Sequence, residues 1–385
     1  MTDSATKLIA FFLPQFHAVP ENDTWWGQGF TEWRNVAAAR PLFRGHYQPH
    51  LPADLGFYDL RLPEIRLAQA ELARRFGIGA FCYYHYWFNG RRILERPFNE
   101  VLASGQPDFP FCLCWANENW TRAWDGGSRQ VLLEQVYSDA DDDAHFHALL
   151  PAWQDPRYLR HEGRPVFLVY AASRLPDPLR TTNRWRELAR AHGLPGLYLL
   201  RVESVHETRS DPRLIGFDAA VEFQPEWRTL PEPRWHHYRR RLVQKLGFQP
   251  PRLWQHRVRD YRDVVELALA KPPPAYPFFP GVAPSWDNSA RRATGALILR
   301  NCDPDLYENW LRRVIARNAP EFVFINAWNE WAEGCHLEPC ARYGHAYLEA
   351  TRRALAGAGP AANQPAGATA VNGAPRPRET TALLS

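Results

Sequence analysis

Glu330 and Glu333 stand three residues apart in Asn329-Glu330-Trp331-Ala332-Glu333. On any helical turn that spacing puts their Cβ atoms about 5–6 Å from each other. Two carboxyl groups about 5–5.5 Å apart are what a retaining glycosidase uses to break a glycosidic bond. Glu118, in Ala116-Asn117-Glu118-Asn119-Trp120, and Glu222, in FDAAVEF, are further acids just past apolar runs. His17, His85, Tyr86, Trp87, Asn117, Trp120, Trp286, Asn288, Asn329 and Trp331 occupy the same kind of position, as do Trp124, Tyr170, Glu203 and Asp287. Carboxylates, amides and imidazoles give directional hydrogen bonds to sugar hydroxyls, while indoles stack on the C–H faces of the rings. Sixteen tryptophans point the same way. A single Trp is more often a core residue with its N–H satisfied, and a single acid more often an ion pair with an arginine. The ion-pair alternative is strongest for Glu118 and Glu203 and weakest for Glu330. The set contains no nucleotide cradle, no Lys nucleophile and no His-x-x-x-His metal pair. Cys335, His336 and Cys340 do not match a common zinc spacing. No metal and no cofactor are expected.

These residues need a scaffold that brings distant positions together. Apolar runs at Lys7–Leu13, Ile78–Tyr84, Pro110–Trp115, Pro165–Tyr170, Leu197–Val202, Phe217–Phe223, Phe278–Val282 and Phe322–Ile325 read as buried strands. Helical patterns lie between most of them, at Pro63–Phe76, Arg96–Ala103, Asp141–Gln154, Thr182–His192, Tyr261–Leu269 and Asp303–Asn318, with a last one at Gly344–Leu355. Strands alternating with helices predict a parallel sheet, and eight of them predict an α/β fold of the (β/α)8 TIM-barrel type, a single domain with long βα loops. A doubly wound open sheet is the alternative, but no Gly-rich phosphate turn follows an early strand. In a barrel all the strand tips meet at one mouth, which gathers the candidates into one site. Ala18–Gly56 reads as a long functional loop, and Gln224–His256 as an insertion with a basic helix at Tyr238–Leu246. The barrel domain is expected over residues 1–355. Residues 356–385 are rich in Ala, Gly, Pro, Asn and Thr and are expected to be a disordered tail.

Composition narrows the function further. Hydrophobic residues are 45% and charged residues 23%, as in an ordinary globular enzyme, and the net charge of +4 indicates no nucleic-acid partner. Six cysteines, two of them in Cys112-x-Cys114 within an apolar run, read as buried thiols in a reducing compartment. MTDSATKLIAFF lacks the pattern of a signal peptide, and no run reaches the ~18–20 apolar residues of a membrane span. A cytoplasmic location without an integral membrane segment is expected.

Five motifs, FFLPQFH, WWGQGFTEW, YYHYWF, WANENWTRAWDG and NAWNEWAEG, occur in that order. The last resembles the asparagine–glutamate–tryptophan–x–glutamate–glycine signature of glycoside hydrolase family 99, the endo-α-mannosidase and endo-α-mannanase family. From about Leu8 to Ala354 the chain is more similar still to the family 99-like, WbsX-type proteins of bacterial polysaccharide and lipopolysaccharide gene sets. The resemblance implies a retaining mechanism on α-linked, mannose-like glycans without a protein nucleophile. Glu330 would be the base that deprotonates the sugar 2-hydroxyl, and Glu333 the acid/base at the glycosidic oxygen. Such a pair is expected to hold one pKa low and the other raised. Ala332 stands where the hydrolases commonly carry His, and Cys335-His336 where they carry a polar pair, so their exact substrate does not carry over with the resemblance, though both carboxylates remain. An oligosaccharide or polysaccharide substrate and an association with a polysaccharide-assembly pathway are the partners implied. WbsX-type proteins are also often labelled glycosyltransferases, so a transferase building O-antigen or another surface glycan is the alternative. A non-catalytic carbohydrate-binding barrel is the second.

Overall fold

The computed structural model describes residues 6–122, 127–204, 207, 209–226, 230, 243, 245, 246 and 252–357. Nine parallel strand segments form one ring: β1 (Lys7–Phe12), β2 (Ile78–His85), β3 (Phe111–Trp115), β4 (Arg164–Val169), β5 (Tyr198–Glu203), β6 (Ala219–Glu222), β7 (Phe278–Phe279), β8 (Gly281–Val282) and β9 (Phe322–Ile325). β7 and β8 flank Pro280 and are the two halves of one barrel strand. Phe278 and Phe279 pair with Ala220 and Val221 of β6, while Gly281 and Val282 pair with Phe324 and Ile325 of β9. Pro280 cannot donate to a ladder, but its carbonyl still accepts from Phe324 N at 3.0 Å. Gly281 is required at this step, because a Cβ there would stand 2.1 Å from the Glu222 carbonyl oxygen. The ring is the expected eight-stranded barrel, closed where the seventh strand passes from one neighbour to the other.

The barrel strands are buried on both faces, which is why they read as continuous apolar runs rather than alternating ones. Inside, Phe11 packs against Tyr84, Phe223 and Phe324 with centroids 5.6–5.7 Å apart, and this aromatic layer floors the mouth.

Among the described residues seven helices follow the strands or close the ring: Pro63–Arg75, Arg96–Ser104, Asp139–Gln154, Pro178–Ala191, Tyr261–Ala270, Pro304–Asn318 and Ala346–Ala356. Several start on side-chain caps. Ser138 Oγ accepts from Asp141 N at 3.1 Å, Asp177 Oδ1 from Arg180 N at 3.0 Å, and Asp303 Oδ1 from Leu306 N at 2.9 Å. Among the described residues the connection from β5 to β6 carries only a 3₁₀ turn, Pro212–Ile215.

The long segment read as loop from Ala18 to Gly56 contains two short helices, Pro20–Trp26 and Trp33–Ala38. Two hairpins also rise from the mouth, Trp87–Phe88 with Arg91–Arg92 and Trp120–Arg122 with Gly127–Leu133. The basic helix expected at Tyr238–Leu246 and the tail expected over residues 356–385 fall mostly outside the described residues. No helix among the described residues is long and apolar enough to cross a membrane.

Candidate active site

A cavity of 490 Å³ opens at the carboxyl ends of the strands. Its walls come from most of the barrel: Leu13 and Gln15 after β1, Tyr84 of β2 and Tyr86 just past it, Glu118 to Thr121 after β3, Tyr170 after β4 and Phe223 after β6. Trp286, Asn288, Arg291 and Arg292 follow the seventh strand, and Glu330 and Glu333 follow β9. Tyr86 and Trp120 line one side with their rings 5.1 Å apart, and Trp25, off the cavity wall, packs 5.9 Å from Trp120.

The chain builds the carboxylate pair in a few residues. Asn329–Glu330 is a two-residue strand paired with Cys335–His336, and Trp331–Glu333 is a single 3₁₀ turn between them. Gly334 reverses the chain at φ +56°, a conformation that favours glycine. A Cβ at Gly334 would also lie 3.0–3.2 Å from Asp287 atoms. That close approach lets Asp287 N donate to the Glu333 carbonyl at 2.6 Å. Asp287 is itself anchored. His46 Nδ1 accepts from Leu42 N at 2.9 Å, so its Nε2–H donates to Asp287 Oδ2 at 2.6 Å, and Gln48 Nε2 donates to the same oxygen at 2.8 Å. Below the turn, the buried Glu338 carboxylate accepts from Trp331 Nε1 at 2.7 Å, Tyr58 OH at 2.8 Å and Gln69 Nε2 at 2.7 Å.

Arg291 joins the pair. Its Nη1 lies 2.8 Å from Glu333 Oε1 and its Nη2 3.3 Å from Glu330 Oε2. Its Nε faces both Glu32 oxygens, at 3.1 and 3.2 Å. The Glu330 side chain is 9% exposed and that of Glu333 19%. Burial pushes the Glu330 carboxyl well above the usual range, the Glu333 charge adds to this, and Arg291 opposes it. Burial also raises Glu333, again against Arg291. In the free protein both carboxyls are raised because both are removed from water, and the guanidinium they share opposes the rise.

The structure brings Tyr86, Glu118, Trp120, Tyr170, Trp286, Asn288, Glu330 and Glu333 to the cavity. The other candidates within the described residues do not line it, and most of them are held elsewhere. His85 points out of the barrel and meets His145 Nε2 at 2.9 Å, and Trp87 Nε1 donates to Asp141 at 2.9 Å. Asn117 bonds both the N–H and the carbonyl of Ala171, at 2.8 and 2.9 Å. Asn329 does the same for Leu13, at 2.7 and 3.0 Å. The Trp331 indole is stacked on His336 at 3.8 Å, and His17 is buried under the mouth. Glu222 is paired with Lys271 at 2.7 Å, and Glu203 with Arg201 at 3.0 Å. Trp124 lies outside the described residues. Cys335 donates to Asn326 O at 2.7 Å and His336 Nδ1 lies 2.9 Å from Glu338 O, so neither is set out as a zinc ligand.

Arg291, Glu32, Tyr84 and Gln15 were not singled out from sequence. Arg291 follows Ser285-Trp286-Asp287-Asn288 by three residues, so tracing that loop to its end would have reached it. Glu32 lies within WWGQGFTEW.

A family model described as Glycosyltransferase WbsX matches residues 8–351. Two proteins called Uncharacterized protein WxcX, from two strains of Xanthomonas campestris pv. campestris, are 48% identical to the chain over 355 residues, 90% of this chain and 49% of theirs. The chain thus spans about half the length of the curated relatives it matches. Among solved structures, one described as a glycoside hydrolase-like protein aligns with TM-score 0.57 at 16% identity, covering 91% of this chain and 94% of that one. The GH99 endo-α-mannosidase from Bacteroides thetaiotaomicron, in complex with bis-tris-propane, aligns with TM-score 0.55 at 14% identity, covering 91% and 96%. These likenesses show the fold. The chain belongs to the WbsX glycosyltransferase family.

Proposed function

We propose that this WbsX-family barrel is a retaining glycoside hydrolase or transglycosylase acting on α-linked, mannose-like glycans, with Glu330 and Glu333 as its working pair. The observation that carries the reading is the pair itself: two largely buried carboxyls bridged by one guanidinium, on the wall of a cavity that Tyr86, Trp120 and Trp286 also line. In this reading Glu330 takes the proton of the sugar 2-hydroxyl as O2 attacks C1, and Glu333 gives its proton to the departing glycosidic oxygen. The resulting 1,2-anhydro sugar is opened at C1 by water or by a sugar hydroxyl, whose proton passes to Glu333. The C1–O2 bond breaks and O2 recovers its proton from Glu330. Two displacements at C1 leave its configuration unchanged. The exchange needs one proton on the pair, on Glu333, with Glu330 ionised.

A second reading is favoured by the family description: a glycosyltransferase using an activated sugar donor, placed in surface-polysaccharide assembly. A panel of α-mannosides and α-mannan oligosaccharides, with the first-formed anomer followed by ¹H NMR, tests both. The α-anomer is expected first. A β-anomer would overturn the retaining mechanism. Consumption of sugar nucleotides with every glycoside intact would favour the transferase. Oligosaccharide binding without turnover of either kind would leave a non-catalytic barrel.

A further inference from the structure

The motif WWGQGFTEW contributes no side chain to the cavity wall, yet it brings Glu32 to the back of the site. Glu32 opens the helix Trp33–Ala38, but its side chain caps nothing there. It turns instead to Arg291, with both oxygens on Nε and one also on Nη2. The Glu32 side chain is only 2% exposed. Its neighbour Trp33 fixes the backbone: the indole N–H donates to Tyr58 O at 2.8 Å, and the ring packs 5.6 Å from that of Trp331. The contacts leave Nη1 for Glu333 and turn Nη2 toward Glu330.

We propose that Glu32 is a positioning residue of this site: it holds the Arg291 guanidinium across Glu330 and Glu333 and, as the third carboxylate on one cation, keeps one proton on that pair at neutral pH. The inference rests on the reading of Glu330 and Glu333 as the working pair. Charge counting carries it. Three ionised carboxylates around one guanidinium would leave a net charge of −2 removed from water, a state that proteins avoid by neutralising a group. Of the other groups facing the pair, the phenols and the thiol carry no charge into that balance, and Arg292 offsets only part of it. Burial keeps the phenols of Tyr84, Tyr86 and Tyr170 and the thiol of Cys335 protonated. Arg292 adds a cation on the Glu333 side from an exposed position, and Glu118 is paired with Arg174 at 3.7 Å. Glu32 does not line the cavity, so it acts through Arg291 rather than on substrate.

The test is a ¹³C titration of the side-chain carboxyls in the full, Glu-labelled chain, with Glu32, Glu330 and Glu333 assigned from their Gln variants. In wild type, one proton is expected on the Glu330–Glu333 pair at pH about 7, and Glu32→Gln is expected to move the Glu330 and Glu333 midpoints down by about one pH unit. Glu330 and Glu333 both ionised at neutral pH in wild type would overturn the proposal, whether or not the variant folds. So would midpoints unmoved in a folded Glu32→Gln, since a purely structural Glu32 would lower the melting temperature without moving them. The titration needs no substrate. If the α-mannoside panel gave no turnover, the proposed reaction would fall while Glu32 was still tested. If it gave turnover, the acidic limb of kcat/KM would shift down with the midpoints.

Discussion

At the residue scale the guanidinium of Arg291 does two jobs. It holds the carboxyls of Glu330 and Glu333 in place, and it opposes the rise in their pKa that burial causes. Arg291→Gln removes the cation and leaves Glu32, Glu330 and Glu333 facing one another. Both working carboxyls then move further up, so the pH optimum shifts to higher pH and kcat falls by about 10²-fold or more, an effect expected of a group that fixes catalytic geometry. A pH–rate profile on a cleavable glycoside checks it. The glutamate pair was legible in sequence because its spacing alone fixes its proximity. Arg291 was not, because its role depends on a loop folding back over a turn 39 positions later in the chain.

At the element scale, the strand tips explain which candidates reach the cavity. Side chains alternate along a strand, so Tyr84 and Tyr86 of the β2 tip face the cavity while His85 between them faces His145. Taking whole clusters after each apolar run, as a sequence reading must, mixes the two faces. The same holds at Asn329-Glu330-Trp331, where the amide ties β1 to the site, the acid faces the cavity and the indole is clamped by Glu338. Strand positions were readable because fully buried strands are uninterrupted apolar runs. Facing was not, because a strand buried on both sides carries no polar alternation to set its phase. The turn makes a prediction of its own. Gly334→Ala introduces a Cβ against Asp287 at positive φ, so it is expected to cost about 1–2 kcal/mol and to displace Glu333. A thermal melt and kcat measured together check this: kcat should fall by more than KM changes. At Glu338, whose carboxyl burial pushes up to about 7, replacement by Ala strands the Tyr58, Gln69 and Trp331 donors. A loss of about 1–3 kcal/mol is expected in chemical denaturation.

At the scale of the whole molecule, the barrel brings its site together from strands at both ends of the chain, with Leu13 and Gln15 beside Glu330 and Glu333. The core that permits this also holds histidines away from water. Burial holds His17 down to about 4. A folded pKa below the unfolded one means that the unfolded chain takes up the proton first as pH falls. This contribution to stability is therefore complete above about pH 6.5 and is lost toward pH 4. Relative to wild type, His17→Gln is expected to gain about 2–3 kcal/mol between about pH 7.5 and about pH 4.5, measured by urea unfolding. The central claim, that Glu330 and Glu333 are a base and an acid acting on one glycosidic bond, is tested most directly by kcat/KM for aryl α-mannosides of graded leaving-group acidity. Glu333→Gln should lose about 10²–10⁴-fold on poor leaving groups and little on the most acidic ones, whereas Glu330→Gln should lose about as much on all of them. Variants that match wild type across the series, or a Glu333→Gln loss independent of the leaving group, would contradict it.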